Sequence, residues 1–366
     1  MKFKSERDLL VEALTGASRV VSTRSPGATS GILLTLTGNH LTITGTDLDI
    51  TVRTSVDVIG YEDGSTVVPA RLITDAVRSL SSGAVTLAAK DDTVEISLDR
   101  AKFSLRTFSF VDYPKLPPIP AATTTLAALE LVQGLAQVVK ASSNDDARPL
   151  LTGVLFTPEG SGLRLVATDS YRLAIRDLVG VVSVVSNRDL LVPAKALAEL
   201  QRAASNLALD AEIGVALSDA EICFIAGNTA ISSRLIDGNY PDYRQLIPAS
   251  YPNQLRVAKD TLLVSLKRAK LLANDQTSSV RLTLRSTGVD ITTQSHDKGE
   301  VTDSVDGDYS GEELTIAFNP TFFIEGVEAV SGDEIVLETS DSTRPAMIHG
   351  VDDEHYRYLL MPVRVQ

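Results

Sequence analysis

Apolar residues recur at two different periods along this chain, and the two periods alternate in a fixed order three times. Leu9, Leu10, Ala13, Leu14, Ala17, Val20 and Val21 fall on one face of a helix across 6–21. The same helical spacing returns at 126–141 and at 259–273. Each of these runs passes into a stretch where apolar and polar residues alternate, at 31–52, 153–175 and 280–301, the pattern of half-buried strands. In the first stretch Leu34, Leu36, Leu41 and Ile43 are expected to face a core, with Gly38-Asn39 as the tight turn between them.

A second helical pattern follows each hairpin. Val68-Pro69-Ala70-Arg71, Val192-Pro193-Ala194-Lys195 and Phe318-Asn319-Pro320-Thr321 each open one, and proline suits a first helical turn because its missing N–H has no partner there anyway. Pro69, Pro193 and Pro320 lie 124 and 127 residues apart, and Asp47, Asp169 and His296 lie 122 and 127 apart, against a third of the length, 122. The pattern therefore predicts an α+β fold built from three copies of one unit, each with two helices packed on antiparallel sheets. The copies span 1–120, 121–250 and 251–366, joined at the Pro-rich stretches Pro117-Pro118-Ile119-Pro120 and Pro248-Ala249-Ser250-Tyr251-Pro252.

Composition adds limits. With 43% apolar and 22% charged residues the chain suits a soluble globular class. Cys223 is the single cysteine, which fits a reducing compartment, and no apolar run reaches the roughly 18–20 residues of a membrane span, so a cytoplasmic protein is expected. His40, His296, His349 and His355 stand in no HExxH pattern, and no CxxC or GxxxxGK[ST] occurs. Cys223, inside Ile222-Cys223-Phe224-Ile225, reads as a buried thiol, and Asp352-Asp353-Glu354 as a solvated loop. Asp47 and Asp49, two apart, are placed on one face of a predicted strand and are a candidate pair for metal or acid–base work. Thr168-Asp169-Ser170 has no histidine beside it to make a triad. No cofactor and no metal site are expected, and the chain is read as a protein without catalysis. The competing readings are a carboxylate-dependent hydrolase using Asp47, Asp49 or Asp169, and a monomeric protein-interaction scaffold.

Several motifs share one resemblance. Ala167-Thr168-Asp169-Ser170-Tyr171-Arg172-Leu173-Ala174, Leu235-Ile236-Asp237-Gly238-Asn239-Tyr240-Pro241-Asp242-Tyr243 and Leu360-Met361-Pro362-Val363-Arg364-Val365 resemble, in order and spacing, signatures of the bacterial DNA polymerase III β subunit, the sliding clamp. Met1-Lys2-Phe3, Gly45-Thr46-Asp47-Leu48 and Val68-Pro69-Ala70-Arg71 extend the resemblance over the whole chain. It implies three similar domains per subunit and a six-domain ring made by two subunits head to tail, with helices lining the hole. The ring would encircle duplex DNA without sequence preference and tether the replicative polymerase, a clamp loader and other proteins bearing a short docking motif.

A net charge of −13 and a pI of about 4.8 argue against a protein that grips phosphate. A ring holds DNA by topology and needs only an inner wall that does not repel it. The six predicted helices carry 13 Lys and Arg against 9 Asp and Glu, while the rest of the chain carries 21 against 38, so the charge is segregated in the required direction. Glu325 and Glu328, in the last helix, run against that trend.

Carried over position by position, the resemblance puts the partner-peptide groove on Leu151, Thr168, Ser170, Tyr171, Arg172, Leu173, Pro241, Leu246, Leu359, Met361, Pro362, Val363 and Arg364. Leu, Pro and Met would form apolar pockets, and Arg172 would hold a peptide carbonyl or carboxylate. Gln245 replaces a basic residue common in the family. DNA contacts fall on Arg24, Arg71, Arg78, Lys195 and Arg148, the last in a loop where Asp145 departs from the polar residue expected. The subunit interface falls on Phe103 and Leu105 against Leu271 and Leu272.

Overall fold

The computed structural model describes residues 1–22, 27–160, 162–180, 188–273, 279–295 and 297–363. Its six α-helices among those residues are α1 (Arg7–Val20), α2 (Ala70–Arg78), α3 (Ala128–Val138), α4 (Ala194–Ala204), α5 (Lys259–Lys270) and α6 (Pro320–Ala329). They are the six expected from the periodicity, two to each repeat.

Contacts group the chain into two compact units, one of residues 1–132 and 195–235, the other of 133–194 and 236–366. In the first, a five-stranded antiparallel sheet runs in the order Ile59–Glu62, Lys2–Glu6, Ala84–Lys90, Thr93–Leu98, Ala101–Arg106. An eight-stranded sheet runs Thr124–Ala127, Glu212–Leu217, Glu221–Ala226, Thr229–Arg234, Ile50–Asp57, His40–Thr46, Gly31–Thr37, Gly64–Pro69. Leu34 stands opposite Ile43 and Leu36 opposite Leu41, and all four are buried, as the period-two pattern requires. The hairpin turn has Gly38 at φ +58°, where glycine avoids the Cβ penalty. α1 lies on His40–Thr46 and Ile50–Asp57 and against α2, burying Leu10, Ala13, Leu14, Ala17 and Val20. Leu9, expected on that face, is instead exposed, because it falls outside the stripe that one helix face can bury.

The second unit holds one twelve-stranded sheet, ordered Leu190–Pro193, Gly153–Glu159, Gly162–Thr168, Arg172–Leu178, Tyr356–Leu360, Ala346–Gly350, Glu334–Thr339, Asn253–Ala258, Gly299–Ser310, Gly288–Ser295, Val280–Arg285, Leu314–Phe318. α5 packs on Gly288–Ser295 and Gly299–Ser310 and against α6.

Two sequence expectations change. Pro69 and Pro193 end strands, and only Pro320 is a first helical residue. There the Asn319 side chain accepts the N–H groups of Thr321 (2.9 Å) and Phe322 (3.2 Å) and caps α6. Asp47 and Asp49 lie not on a strand but in the turn between His40–Thr46 and Ile50–Asp57, where Leu48 takes φ +82°.

Gly45 is required by a close approach: a Cβ there would sit 2.0 Å from the Ala17 carbonyl oxygen of α1. Gly45→Ala is expected to push helix from sheet and to cost about 1–3 kcal/mol, read as a lower urea midpoint with an unchanged slope. The second repeat already carries alanine at the matching position, Ala167.

Candidate functional site

The same turn is built twice, and its chemistry explains the Thr-Asp pairs. Thr46 Oγ1 donates to the Ile50 carbonyl (3.0 Å) and accepts the Leu48 N–H (3.0 Å). Asp47 Oδ1 accepts the N–H groups of Asp49 (3.2 Å) and Ile50 (2.8 Å). In the second repeat Thr168 Oγ1 donates to the Arg172 carbonyl (2.6 Å) and accepts the Ser170 N–H (3.1 Å), while Asp169 Oδ1 accepts from Tyr171 (2.9 Å) and Arg172 (3.0 Å). Leu48 and Ser170 share positive φ, +82° and +81°, a conformation that costs a non-glycine residue about 1–2 kcal/mol and that these bonds hold in place. The remaining oxygen of each aspartate faces a cation: Asp47 Oδ2 is 2.6 Å from Lys195 Nζ, and Asp169 Oδ2 is 3.0 Å from Arg172 Nε. Asp49 pairs with Arg234 at 3.7 Å. The Asp47 and Asp169 carboxylates are thus committed to turn structure, while that of Asp49 makes an exposed ion pair. Among the described residues no group of three or more His, Cys, Asp or Glu is placed to hold a metal.

What surrounds the two turns differs. A strand from the following repeat pairs beside each: Thr51 faces Ser232 in the first, Leu173 faces Leu359 in the second. Arg234 N donates to the Asp49 carbonyl (2.9 Å), as Met361 N donates to that of Tyr171 (3.0 Å). So Thr, Ser and an ion pair surround the first turn, and Leu, Leu and Met the second. Beside the second lies a shallow cleft, lined by Thr168, Ser170, Arg172, Leu173, Leu246, Leu359 and Met361. All seven were predicted from sequence. Tyr171 and Pro241 are exposed, Pro362 is half-buried and Val363 exposed beside it, and Leu151 is buried on the short 3-10 turn Pro149–Leu151. Arg364 lies outside the described residues. Gln245 is exposed and donates to Asp242 Oδ2 (2.8 Å).

Arg172 is already engaged within the chain. Its guanidinium is buried and donates to Asp169, to Glu325 and to the Lys140 carbonyl, with the Phe322 ring 4.3 Å away. Burial works against the charge, but Tyr358 and Glu325 outweigh it and push the pKa above its ordinary value. Arg172 stands in the cleft wall with its charge already paired. Phe322, which the sequence reading missed, also stacks on Tyr171 at 6.4 Å. Its only sequence signal is an aromatic one turn into a helix whose neighbours are core.

The candidate DNA residues are paired. Arg71 and Arg78 flank Asp75 at 3.7 and 3.3 Å, Lys195 holds Asp47, and Arg148 holds Asp145 at 2.9 Å. Hydrogen bonds from Ala147 N–H and then Arg148 keep the Asp145 carboxyl below its ordinary range. Such solvent-exposed pairs are worth about 0–1 kcal/mol, so a phosphate can replace the carboxylate. Arg24 lies outside the described residues. The two acids of α6 that ran against the charge trend are both neutralised, Glu325 by Arg172 and Glu328 by Lys267 at 2.9 Å.

At the candidate interface Leu105 is a core residue of the first unit, with Phe103 half-buried against the same core. Alternation along Ala101–Arg106 puts these two on one face of the strand, with Lys102, Ser104 and Arg106 on the other. Leu271 is exposed and Leu272 half-buried. Ala101–Arg106 is an edge strand. Gly299–Ser310 pairs along one side with Gly288–Ser295, but on its other side only 307–310 pair, with 254–257.

Repeated helix-and-hairpin units, joined by shared sheets and bearing one apolar cleft, define a clamp-type tethering protein. Three family descriptions match in tandem: DNA polymerase III beta subunit, N-terminal domain (1–117), central domain (125–242) and C-terminal domain (244–364). The chain belongs to the DNA polymerase III beta subunit family, the sliding clamps. It is 31% identical to the beta sliding clamp of Streptomyces coelicolor over 381 residues and 30% identical to that of Bacillus subtilis over 379, with full coverage of each chain. Among solved structures it matches a DnaN sliding clamp from Bartonella birtlesii bound to griselimycin (TM-score 0.91, 30% identity) and the DNA polymerase III beta subunit of Thermotoga maritima (TM-score 0.89, 26% identity), again over all of both chains. Its fold is thus three clamp-type domains. Its role is that of a DNA sliding clamp, a processivity factor of DNA polymerase without catalysis.

Proposed function

We propose that two copies of this chain join head to tail into a six-domain ring around duplex DNA, opened and closed by a clamp loader in the cytoplasm, and that the cleft beside Tyr171 takes the docking peptides of the polymerase and other partners. One observation carries the ring. Within the chain, the fourth strand of one repeat pairs with the last strand of the next: Ile50–Asp57 with Thr229–Arg234, then Arg172–Leu178 with Tyr356–Leu360. The next step in the series needs Gly299–Ser310 to pair with Ala101–Arg106; Ala101–Arg106 ends its sheet, and along 299–306 no strand pairs with one side of Gly299–Ser310. A second copy supplies both. The contact is heterologous, so it must close on itself to avoid a filament. Charge favours it: Lys102 and Arg106 lie on one strand, Glu300, Asp303 and Asp306 on the other. The three domains would divide near 120 and 250, at the Pro-rich joins. The apolar cleft would also accept griselimycin.

Retention on nicked circular DNA, after loading by a clamp loader, tests the reading. Sedimentation as a dimer, stable retention on circles and release when the circle is cut are expected. A monomer, or binding indifferent to DNA ends, would favour the scaffold reading instead.

A further inference from the structure

Glu325 does not line the cleft, yet it is tied to the cleft wall through three groups. Its carboxylate on α6 accepts from Arg172 Nη1. Arg172 Nε donates to Asp169 Oδ2 (3.0 Å), and Asp169 Oδ1 accepts the Tyr171 and Arg172 N–H groups. Those N–H groups belong to the turn that supplies Ser170 and Arg172 to the wall, and the Tyr171 carbonyl in turn holds Met361 N at 3.0 Å. The arginine is only 8% exposed, so its orientation is set by these partners and not by water. The first repeat ties the same turn to a helix with different groups: there Lys195, on α4, reaches the free oxygen of Asp47 directly. Two turns of equal geometry are thus each fastened to a helix, once by a cation on the helix and once by an anion acting through an intervening arginine. The cleft lies beside the turn that Glu325 fastens through Arg172.

We propose that Glu325 is a positioning residue of the groove: it orients Arg172, Arg172 holds Asp169, and Asp169 fixes the main chain of Ser170 and Tyr171 in the shape that receives a partner peptide. This inference rests on reading the cleft as the partner-peptide site. Removing the Glu325 charge frees the arginine to turn and loosens the wall without removing any wall atom.

The test titrates full-length protein with a fluorescein-labelled tetrapeptide, Leu-Ser-Leu-Phe, whose apolar anchors suit a wall of leucine and methionine. Glu325→Gln is expected to weaken binding about three- to thirtyfold, Glu325→Asp to recover much of the loss, and amide exchange at 170–172 to quicken in the first variant only. Leu284→Ala, a buried change on Val280–Arg285, lowers stability and is expected to leave affinity unchanged. Should Glu325→Gln not fold, Arg172→Lys keeps a positive charge but loses the fork, and the same loss is expected. Wild-type protein that fails to bind the tetrapeptide overturns the groove reading. Wild-type protein that binds, with Glu325→Gln binding as tightly, overturns the positioning role alone.

Discussion

Lys102→Glu combined with Arg106→Glu is expected to turn the dimer into a monomer at micromolar concentration. Both residues are exposed on the edge strand Ala101–Arg106, and the strand proposed to meet it carries exposed Glu300 and Asp306 and the partly exposed Asp303. Like charges set against each other across an interface cost several kcal/mol. A loss of about 3 kcal/mol weakens self-association more than a hundredfold. Lys102 now pairs with Glu95 on its own sheet at 2.9 Å, an exposed contact whose loss costs the fold little. The melting temperature of the subunit should therefore hold while sedimentation shifts and retention on circular DNA disappears. Reversing the other edge as well, with Glu300→Lys and Asp306→Lys in the same chain, should restore the dimer. A double variant that still sediments as wild type would sink the strand assignment. This pair replaces the more obvious choice of Phe103 and Leu105, since truncating Leu105 empties part of the core and confuses assembly with unfolding.

The burial of Leu105 shows where reading from sequence stops. The hairpins were legible because a period of two decides which residues face a core, as with Leu34 and Leu36 against Ile43 and Leu41. The repeat was legible because Thr-Asp returns at nearly a third of the length, and the structure shows why: both pairs close the same turn. The turn itself was not legible. Leu48 and Ser170 take positive φ without glycine to announce it, so Asp47 and Asp49 looked like neighbours on a strand face. Which way Phe103 and Leu105 point depends on the alternation of an edge strand, which a one-residue shift would reverse.

Long charged side chains were the least legible part of the site. Arg172 reads as an exposed recognition residue in its own segment, but its partner Glu325 lies 153 positions away. The same holds for charge along helices. Glu325 and Glu328 looked like exceptions to a basic set, and each proves to be neutralised by a cation from another element. By contrast the residues that line the cleft are strand and turn positions inside motifs, where sequence can point to them. The two turns differ in what faces them, Thr51 with Ser232 against Leu173 with Leu359, and the second is the more apolar.

Leu246→Asp should abolish partner binding while leaving DNA encirclement intact. Leu246 closes the 3-10 turn Tyr243–Leu246, is 37% exposed, and forms the cleft wall opposite residues that come from strands. Leu173 and Leu359 are almost fully buried in the core beneath, so changing them would unfold what they support. An aspartate at 246 can turn to water in the free protein, and loss of the partly buried leucine should cost about 1–2 kcal/mol of stability. A bound peptide would have to strip that water from a carboxylate facing Leu359 and Met361, while Arg172 is already held by Asp169 and Glu325 and position 245 is glutamine. Loss of an apolar anchor pocket typically costs 2 kcal/mol or more, so with the added desolvation the tetrapeptide should bind about a hundredfold more weakly. Retention on nicked circles should be unchanged, because it depends on the strand edges and not on the cleft. Loss of both properties together would mean that the variant had disturbed the fold. Undiminished peptide binding would mean that partners dock elsewhere, and the cleft would then be left as a packing feature of the joint between Arg172–Leu178 and Tyr356–Leu360.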